Sequence, residues 1–335
     1  LSDVLLKGSK ANVLEAIGNT PIVKLNKVIQ GPNYNLQTEI YVKLEYLNPG
    51  GSIKDRIGTY ILQKAIKEGK LKAGGTIIEA TSGNTGVGVA LFACVHGYKC
   101  IFVLADKQSQ EKINNLKAFG AEVVVCPTNV EPEDPRSYYS VAKKLAATTE
   151  NSYYMSQYDN LWNREAHFMT TGPEIFQQTQ GEFDAFLATV GTGGTISGIA
   201  QYIKSQKPSI KVIGVDCKGS IIAEYAKTGK IGHAHSYVLE GIGEDFIPEN
   251  YDFSVIDDFV VIEDEESFLM TRRLLREEGI YAGGSSGAVI CGAIKYAKAN
   301  PQTKRILAIL PDSGNRYTSK IYNDAWMKEK GYFKP

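Results

Sequence analysis

Seven short apolar runs, at 76–80, 100–105, 122–127, 185–190, 211–216, 259–262 and 305–310, alternate with helix-length segments along the chain. That alternation constrains the fold more than any single motif does, because it is the pattern of parallel sheets flanked by helices in an α/β protein. At 335 residues and 43% hydrophobic, the chain can bury a large core and form one or two domains. The stretch TNVEPEDPR, residues 128–136, is acidic and proline-bearing and reads as a loop between two lobes. The expected division is a smaller, mobile lobe over 45–152 and a larger lobe built from 1–44 and 153–335, with a site in the cleft between them.

Lys54 stands in the run NPGGSIKDR, just past a Pro-Gly-Gly turn and at the start of a stretch with Ile57, Ile61, Ala65 and Ile66 at helical spacing. The two glycines let the backbone bend sharply and approach a ligand. A helix N-terminus disfavours a second positive charge, which pushes the amine toward its neutral, nucleophilic form and suits a Schiff base. A solvated lysine beside Asp55 has the same local sequence, so other motifs must decide.

The run GTGGTISG, residues 191–198, follows the apolar run 185–190 and precedes a helical pattern with Ile199 and Ile203. Backbone N–H groups of such a strand, glycine loop and helix unit would cradle a phosphate dianion. A dinucleotide site competes, because Asp216 closes the next strand about where a ribose-binding acid would lie. That pattern, however, needs glycine where Ile196 stands, and a single terminal phosphate fits better. A third loop, TSGNTG at 81–86, follows the run 76–80 and opens another helix. Its hydroxyls, amide and backbone donors suit a carboxylate, and an ordinary capping turn has the same composition. A fourth, GGSSG at 283–287, links a strand-like run to an apolar helix. Four small-residue loops at strand ends suggest one converging site.

With these loops in place, the chain resembles the pyridoxal-phosphate enzymes of the β-replacement type, the family shared by cysteine synthase and cystathionine β-synthase. The resemblance runs collinearly through IGNTP (17–21), NPGGSIKDR, TSGNTG, KINNLKAFGAE (112–122), QYDN (157–160), TTGPEI (170–175), GTGGT, EGIGEDFIP (240–248), GGSSG and PDSGNRY (311–317). It implies a two-lobed fold type II architecture, like the tryptophan synthase β subunit, with pyridoxal phosphate between the lobes and closure on substrate. It also implies that Lys54 forms the internal aldimine, that Asn84 hydrogen-bonds the cofactor's phenolic oxygen, and that Gly191, Thr192, Gly193, Gly194 and Thr195 hold the phosphate. Ser285 would face the pyridine nitrogen, and Thr81, Ser82, Thr85 and Gln157 would bind the amino-acid carboxylate.

Elementary chemistry agrees with those roles. A serine facing the ring nitrogen leaves the pyridine essentially neutral, a weaker electron sink that favours expelling a β-substituent over storing a carbanion. Lys54, once displaced by substrate, can remove the α-proton and then, as an ammonium, help a poor leaving group depart, giving a bound aminoacrylate to which a thiol adds. A relative that binds the cofactor without turning over substrate would keep the same motifs and serve as a sensor or scaffold. The simultaneous presence of lysine, phosphate loop, carboxylate loop and pyridine partner favours the enzyme.

Three phrases lean toward the cystathionine-forming branch: GGSIKDR, EGIGEDF with its acids Glu244 and Asp245, and PDS with Asp312. Two departures pull back, since Glu244 replaces a tyrosine common in eukaryotic cystathionine β-synthases and GNRY at 314–317 looks more like cysteine synthase. The expected reaction, a lyase-class step of transsulfuration, forms cystathionine from serine, or from cysteine with release of hydrogen sulfide, and homocysteine. Glu244 and Asp245 would border the second-substrate pocket. The alternative is cysteine from O-acetylserine and sulfide.

Composition removes other classes. Lys plus Arg and Asp plus Glu both number 37, so no global charge draws the chain to nucleic acid or an acidic membrane. No apolar run approaches the ~20 residues of a membrane span, and no secretory leader is read at the start, which is Leu1 rather than Met. The cysteines Cys94, Cys100, Cys126, Cys217 and Cys291 lack a CxxC pattern and read as mostly buried free thiols of a reducing, cytoplasmic compartment. His96, His167, His233 and His235 make no metal spacing, and the last two read as a surface loop. The first cysteine is Cys94, so the N-terminal haem segment of animal relatives is not expected, nor is a regulatory tandem module after residue 335. Family members are usually homodimers, and Trp326, Tyr332 and Phe333 suit either such an interface or the core.

Overall fold

Strands covered by helices on both faces read as unbroken apolar runs, and each of the seven runs becomes a strand whose ends fall within one residue of the expected ones. The computed structural model describes residues 7–31, 34–81, 83–106, 108, 110–131 and 134–332. In chain order come β1 (Ile22–Lys24), β2 (Gln30–Gly31), β3 (Tyr34–Asn35), β4 (Glu39–Leu44), α1 (Lys54–Lys67), β5 (Thr76–Ala80), α2 (Asn84–His96) and β6 (Lys99–Ala105). Next are α3 (Gln110–Ala118), β7 (Glu122–Cys126), α4 (Tyr138–Thr148), β8 (Ser152–Tyr154), α5 (Trp162–Ala166), a π-helical turn (His167–Thr171) and α6 (Gly172–Thr179). The remainder is β9 (Ala185–Thr189), α7 (Gly194–Gln206), β10 (Lys211–Cys217), α8 (Ile222–Thr228), β11 (Asp258–Ile262), α9 (Asp264–Glu278), α10 (Gly284–Ala299), β12 (Arg305–Leu310) and α11 (Asp324–Glu329).

Two compact units result, one from residues 7–19 and Leu47–Trp162, the other from Thr20–Tyr46 and 163–332. The first carries a four-stranded parallel sheet in the order β7-β6-β5-β8. The chain winds outward from β5 through β6 to β7, then returns to the other side of β5 as β8, so the winding reverses between β5 and β8. Ligands of open α/β sheets bind beyond the carboxyl ends of strands at such a reversal, and the TSGNTG loop leaves β5 there.

The second unit has a six-stranded sheet, β1-β4-β12-β9-β10-β11, parallel except for β1. Its winding reverses between β9 and β12, where GTGGT and PDSGN leave the sheet. Helix α10 packs on α9, β9 and β12 and is buried along most of its length. A Cβ on Gly292 would lie 2.6 Å from Val215 Cγ2, so glycine is what lets the helix approach β10.

Several expectations need correction. The N-terminal residues 7–19 pack with the first unit rather than the second: Gly18 N–H donates to Asn48 Oδ1 (2.8 Å) and Leu14 is buried. The first unit also extends past residue 152, because β8 pairs with β5 and Lys64 and Lys70 sit over the Trp162 ring at 5.0 and 4.4 Å. The acidic stretch 128–136 connects β7 to α4 inside that unit and is no inter-lobe linker; its residues 132 and 133 lie outside the described residues. The run before GGSSG is not a strand but a single bridge, Ala282 to Ser313. In α1, Ile57, Ile61 and Ala65 are buried, the two isoleucines each worth roughly 1.5–3 kcal/mol of apolar burial, whereas Ile66 is exposed.

Strand β4 went unread because Lys43 interrupts its apolar run. Lys43 is nonetheless fully buried, its Nζ donating to Thr20 O (2.9 Å), Gln178 Oε1 (2.8 Å) and Glu174 Oε1 (2.5 Å). Thr20 also donates its hydroxyl to Glu45 Oε1 (2.6 Å), so the IGNTP and TTGPEI phrases meet in one polar cluster. Trp326 and Tyr332 take the core role, both packed edge-on against Phe268, and Phe333 lies outside the described residues. Among the described residues no helix is long and apolar enough to cross a membrane.

Candidate active site

Lys54 is the first residue of α1 and is half-buried. Gly51 takes φ +78°, a conformation that favours glycine. Gly50 N–H donates to Asp55 Oδ2 (2.6 Å) and Lys54 N–H to Ser52 Oγ (3.2 Å), which fixes the turn before the helix. Asp55 is itself buried in the first helical turn, where the macrodipole favours a carboxylate. From the other side α2 closes in: a Cβ on Gly58 would lie 2.6 Å from Gly88 C, and one on Gly88 2.7 Å from Lys54 O. The two helices that begin at Lys54 and Asn84 therefore cross through glycines.

The TSGNTG loop is built on Thr81, whose Oγ1 accepts the N–H groups of Gly83 (3.0 Å) and Gly86 (3.3 Å) while its own hydrogen remains a donor. Gly83 sits at φ +126° and Asn84 opens α2. Thr85 Oγ1 donates to Gln157 Oε1 (2.7 Å), and Gln157 Nε2 donates to Ala80 O (2.9 Å). Thr81, Thr85 and Gln157, all nearly fully buried, are thus brought together at the sheet reversal. Ser82 lies outside the described residues.

In the second unit the GTGGT loop joins β9 to α7, with Gly193 at φ +80°. A Cβ there would meet the Tyr251 ring at 2.6 Å, and one on Gly194 would meet Asn163 Oδ1 at 2.1 Å. Tyr251 donates its hydroxyl to Gly191 O (2.9 Å), and burial holds that phenol far above its ordinary pKa, so it stays a donor. Asn163 Nδ2 donates to Thr192 Oγ1 (3.2 Å), and Thr195 Oγ1 meets His167 Nε2 at 3.1 Å in the π-helical turn, where His167 Nδ1 meets Thr171 Oγ1 at 2.9 Å. The loop is a fixed, glycine-floored cradle at the N-terminus of a 13-residue helix, the arrangement that holds a phosphate.

Asp216 has other work. It is fully buried and accepts the N–H groups of Cys217 and Ala223, each at 2.9 Å, which removes the dinucleotide reading.

Ser285 lies in the first turn of α10, 4% exposed. The turn before it is fixed from β12's exit: Gly283 N–H donates to Asp312 O (2.9 Å), Tyr317 donates its hydroxyl to Asp312 Oδ2 (2.7 Å), and a Cβ on Gly283 would lie 2.1 Å from Asp312 Oδ1. Glu244 and Asp245 occupy a loop tied to the phosphate cradle by Gly243 N–H to Val190 O (2.6 Å). Glu244 is half-buried, its N–H on Ser220 Oγ (3.1 Å), while Asp245 is exposed. Burial and then the Glu244 charge push the nearby Tyr237 phenol well up. His233 and His235 are exposed in an irregular segment, as read from sequence.

Sequence reasoning missed Asn163, His167, Tyr251 and the buried Glu79 of β5. Their only local signal is a polar or aromatic residue in otherwise ordinary surroundings.

A family model described as pyridoxal-phosphate dependent enzyme matches residues 13–312. The chain belongs to that family. Its cofactor is pyridoxal 5′-phosphate, and the cradle of Gly193 and Gly194, closed to any side chain, fits that group's phosphate. Cystathionine β-synthase of Apis mellifera is 46% identical over 97% of this chain and 64% of its own length; that of Mus musculus is 45% identical over 99% and 59%. The chain thus spans about three-fifths of these curated relatives. A solved O-acetylserine dependent cystathionine β-synthase from Helicobacter pylori is 40% identical, with a TM-score of 0.84, over 94% of this chain and 99% of its own. A hydrogen sulfide-producing enzyme from Fusobacterium nucleatum is 35% identical, with a TM-score of 0.84, over 92% and 100%.

Proposed function

We propose that this chain catalyses β-replacement, forming cystathionine from serine, or from cysteine with release of hydrogen sulfide, and homocysteine. The observation that carries the reading is the likeness to cystathionine β-synthases across 97% of the chain, at 46% identity, with the lysine, phosphate-loop, carboxylate-loop and pyridine-partner motifs present.

The bound cofactor supplies an electron-withdrawing ring that makes the amino acid's α-proton acidic and lets its β-substituent leave. Lys54 anchors the cofactor through its amine, takes the α-proton, and as an ammonium donates to the departing hydroxyl or thiol. Asn84 donates to the cofactor's phenolic oxygen, and residues Gly191, Thr192, Gly193, Gly194 and Thr195 hold its phosphate. Ser285 at the ring nitrogen keeps the ring essentially neutral. Thr81, Ser82, Thr85 and Gln157 bind the substrate carboxylate, with the Thr81 hydroxyl hydrogen among its donors. Glu244 and Asp245 orient the ammonium of incoming homocysteine, which as a buried charge needs a partner.

The Helicobacter pylori likeness favours a second reading for the first substrate, O-acetylserine, whose acetate leaves without proton donation. A homodimer, as in the resembling family, and a cytoplasmic location, suggested by four buried free cysteines, belong to the same proposal.

Incubation of the purified protein with homocysteine and, in turn, serine, cysteine and O-acetylserine tests it. Cystathionine should form, and replacing Glu244 with Ala and Asp245 with Gly should raise the KM for homocysteine more than it alters α-proton exchange of the first substrate. No cystathionine from any of the three would sink the proposal.

A further inference from the structure

One fully buried carboxyl group is not used by the reaction as proposed. Glu79 lies in β5 two residues before Thr81, 0% exposed, with Ile77, Ile78 and Ala80 around it equally buried. Its Oε1 accepts Gln157 N–H at 3.1 Å, and its Oε2 has no hydrogen-bond partner among the described residues. Filling space alone is done at lower free-energy cost by an apolar side chain. What Glu79 does instead is bond the backbone of the residue whose amide spans the sheet reversal, with Thr85 on one side and Ala80 O on the other.

We infer that Glu79 is a positioning residue for the substrate carboxylate, fixing Gln157 and, while uncharged, keeping negative charge out from behind the carboxylate loop. The inference rests on the reading of Thr81, Thr85 and Gln157 as the carboxylate site.

The charge state follows from the surroundings. Burial raises the Glu79 pKa to about 8, against the bonds from Gln157 and Ser156 that lower it, so the group is mostly neutral at pH 7. Above about 8 it ionises, and its charge then repels the substrate carboxylate held by Gln157. The groups facing it are few. From β8 come Tyr153 and Tyr154, the first pushed by burial up to about 12 and the second higher, so both stay protonated here; the following turn adds Asp159. Across the sheet the β6 partner is Phe102. On α4, Tyr138 bears on Tyr154, while α2 has no titratable side chain before Cys94.

The test compares steady-state kinetics of holoenzyme with Glu79→Ala, Glu79→Gln, Thr85→Ala and Gln157→Ala, the first substrate being varied at pH 7 and pH 9. Glu79→Ala should raise the KM for that amino acid about tenfold while kcat falls less than about threefold. Glu79→Gln keeps the acceptor and should recover most of the loss at pH 7. It should also show a smaller KM rise from pH 7 to pH 9 than the native protein, because glutamine cannot ionise. If both Glu79 variants keep the native KM and pH profile while Gln157→Ala raises KM, the inference is wrong and the carboxylate reading stands. Should Thr85→Ala and Gln157→Ala also leave KM untouched, the carboxylate reading itself fails. If Glu79→Ala does not fold, identical KM profiles for Glu79→Gln and the native protein overturn the inference alone.

Discussion

A Cβ on Gly88 would lie 2.7 Å from the carbonyl oxygen of Lys54 and 2.9 Å from the Cα of Asp55. Helix α2 therefore presses its backbone against the turn that carries the lysine, and the residue that permits it is a glycine four positions into the helix. Gly88→Ala should force α1 and α2 apart, costing about 1–3 kcal/mol of stability. Turnover should fall further than the folded fraction does, because the displaced backbone is Lys54's own. Thermal unfolding and kcat measured on the same preparation check this; an alanine variant with native kcat would show that the close approach does not set the lysine.

Lys54→Ala should reduce turnover by roughly 10³-fold or more if, as proposed, one amine serves as cofactor anchor and general base. Cofactor retention should be only partly lost, because the loop at Gly193 and Gly194, proposed to hold the phosphate, is untouched. Activity and cofactor content of the purified variant decide it, and near-normal turnover would contradict the assigned role.

Gly194→Ala places a Cβ 2.1 Å from the Oδ1 of Asn163, which is fully buried and has little room to yield. Affinity for pyridoxal phosphate should fall at least about tenfold, or 1.4 kcal/mol. Fluorescence titration with the cofactor measures it; unchanged affinity would remove the loop from the phosphate site.

The buried carboxyl of Glu79 also predicts a pH dependence of stability. Its folded-state pKa, about 8, lies above the 4.5 of an ordinary exposed glutamate, so the folded protein holds this proton more tightly than the unfolded chain does. The contribution is fully present below about pH 4.5 and is lost progressively as pH rises through about 8. Urea midpoints should therefore fall less steeply between pH 5 and about pH 8 for Glu79→Gln than for the native protein. Parallel profiles would show that the group does not titrate in this range.

The sequence revealed what local pattern determines. The strands at 76–80 and 305–310 are buried on both faces and so read as apolar runs, and the loops around Lys54, Thr81 and GTGGT stand out by their glycine and hydroxyl spacing, whereas Gln157 is reached only through the family resemblance. What stayed hidden depends on partners far along the chain. Lys43 looks like a strand breaker until Glu174, 131 residues away, is beside it. The attachment of residues 7–19 to the first unit turns on Gly18 meeting Asn48 across 30 residues. Glu79 and Gln157 are 78 residues apart, and nothing in TIIEA says that its acid bonds the Gln157 backbone N–H.

The most direct test of the proposed chemistry is the ratio of two specificity constants, kcat/KM for homocysteine in cystathionine formation and kcat/KM for sulfide in cysteine formation, each with the better first substrate saturating. Cystathionine formation should dominate, with hydrogen sulfide released when cysteine is the first substrate. Cysteine formation from O-acetylserine and sulfide dominating by orders of magnitude, with homocysteine unused, would contradict the account and make the chain a cysteine synthase whose Glu244 and Asp245 do not serve a second amino acid.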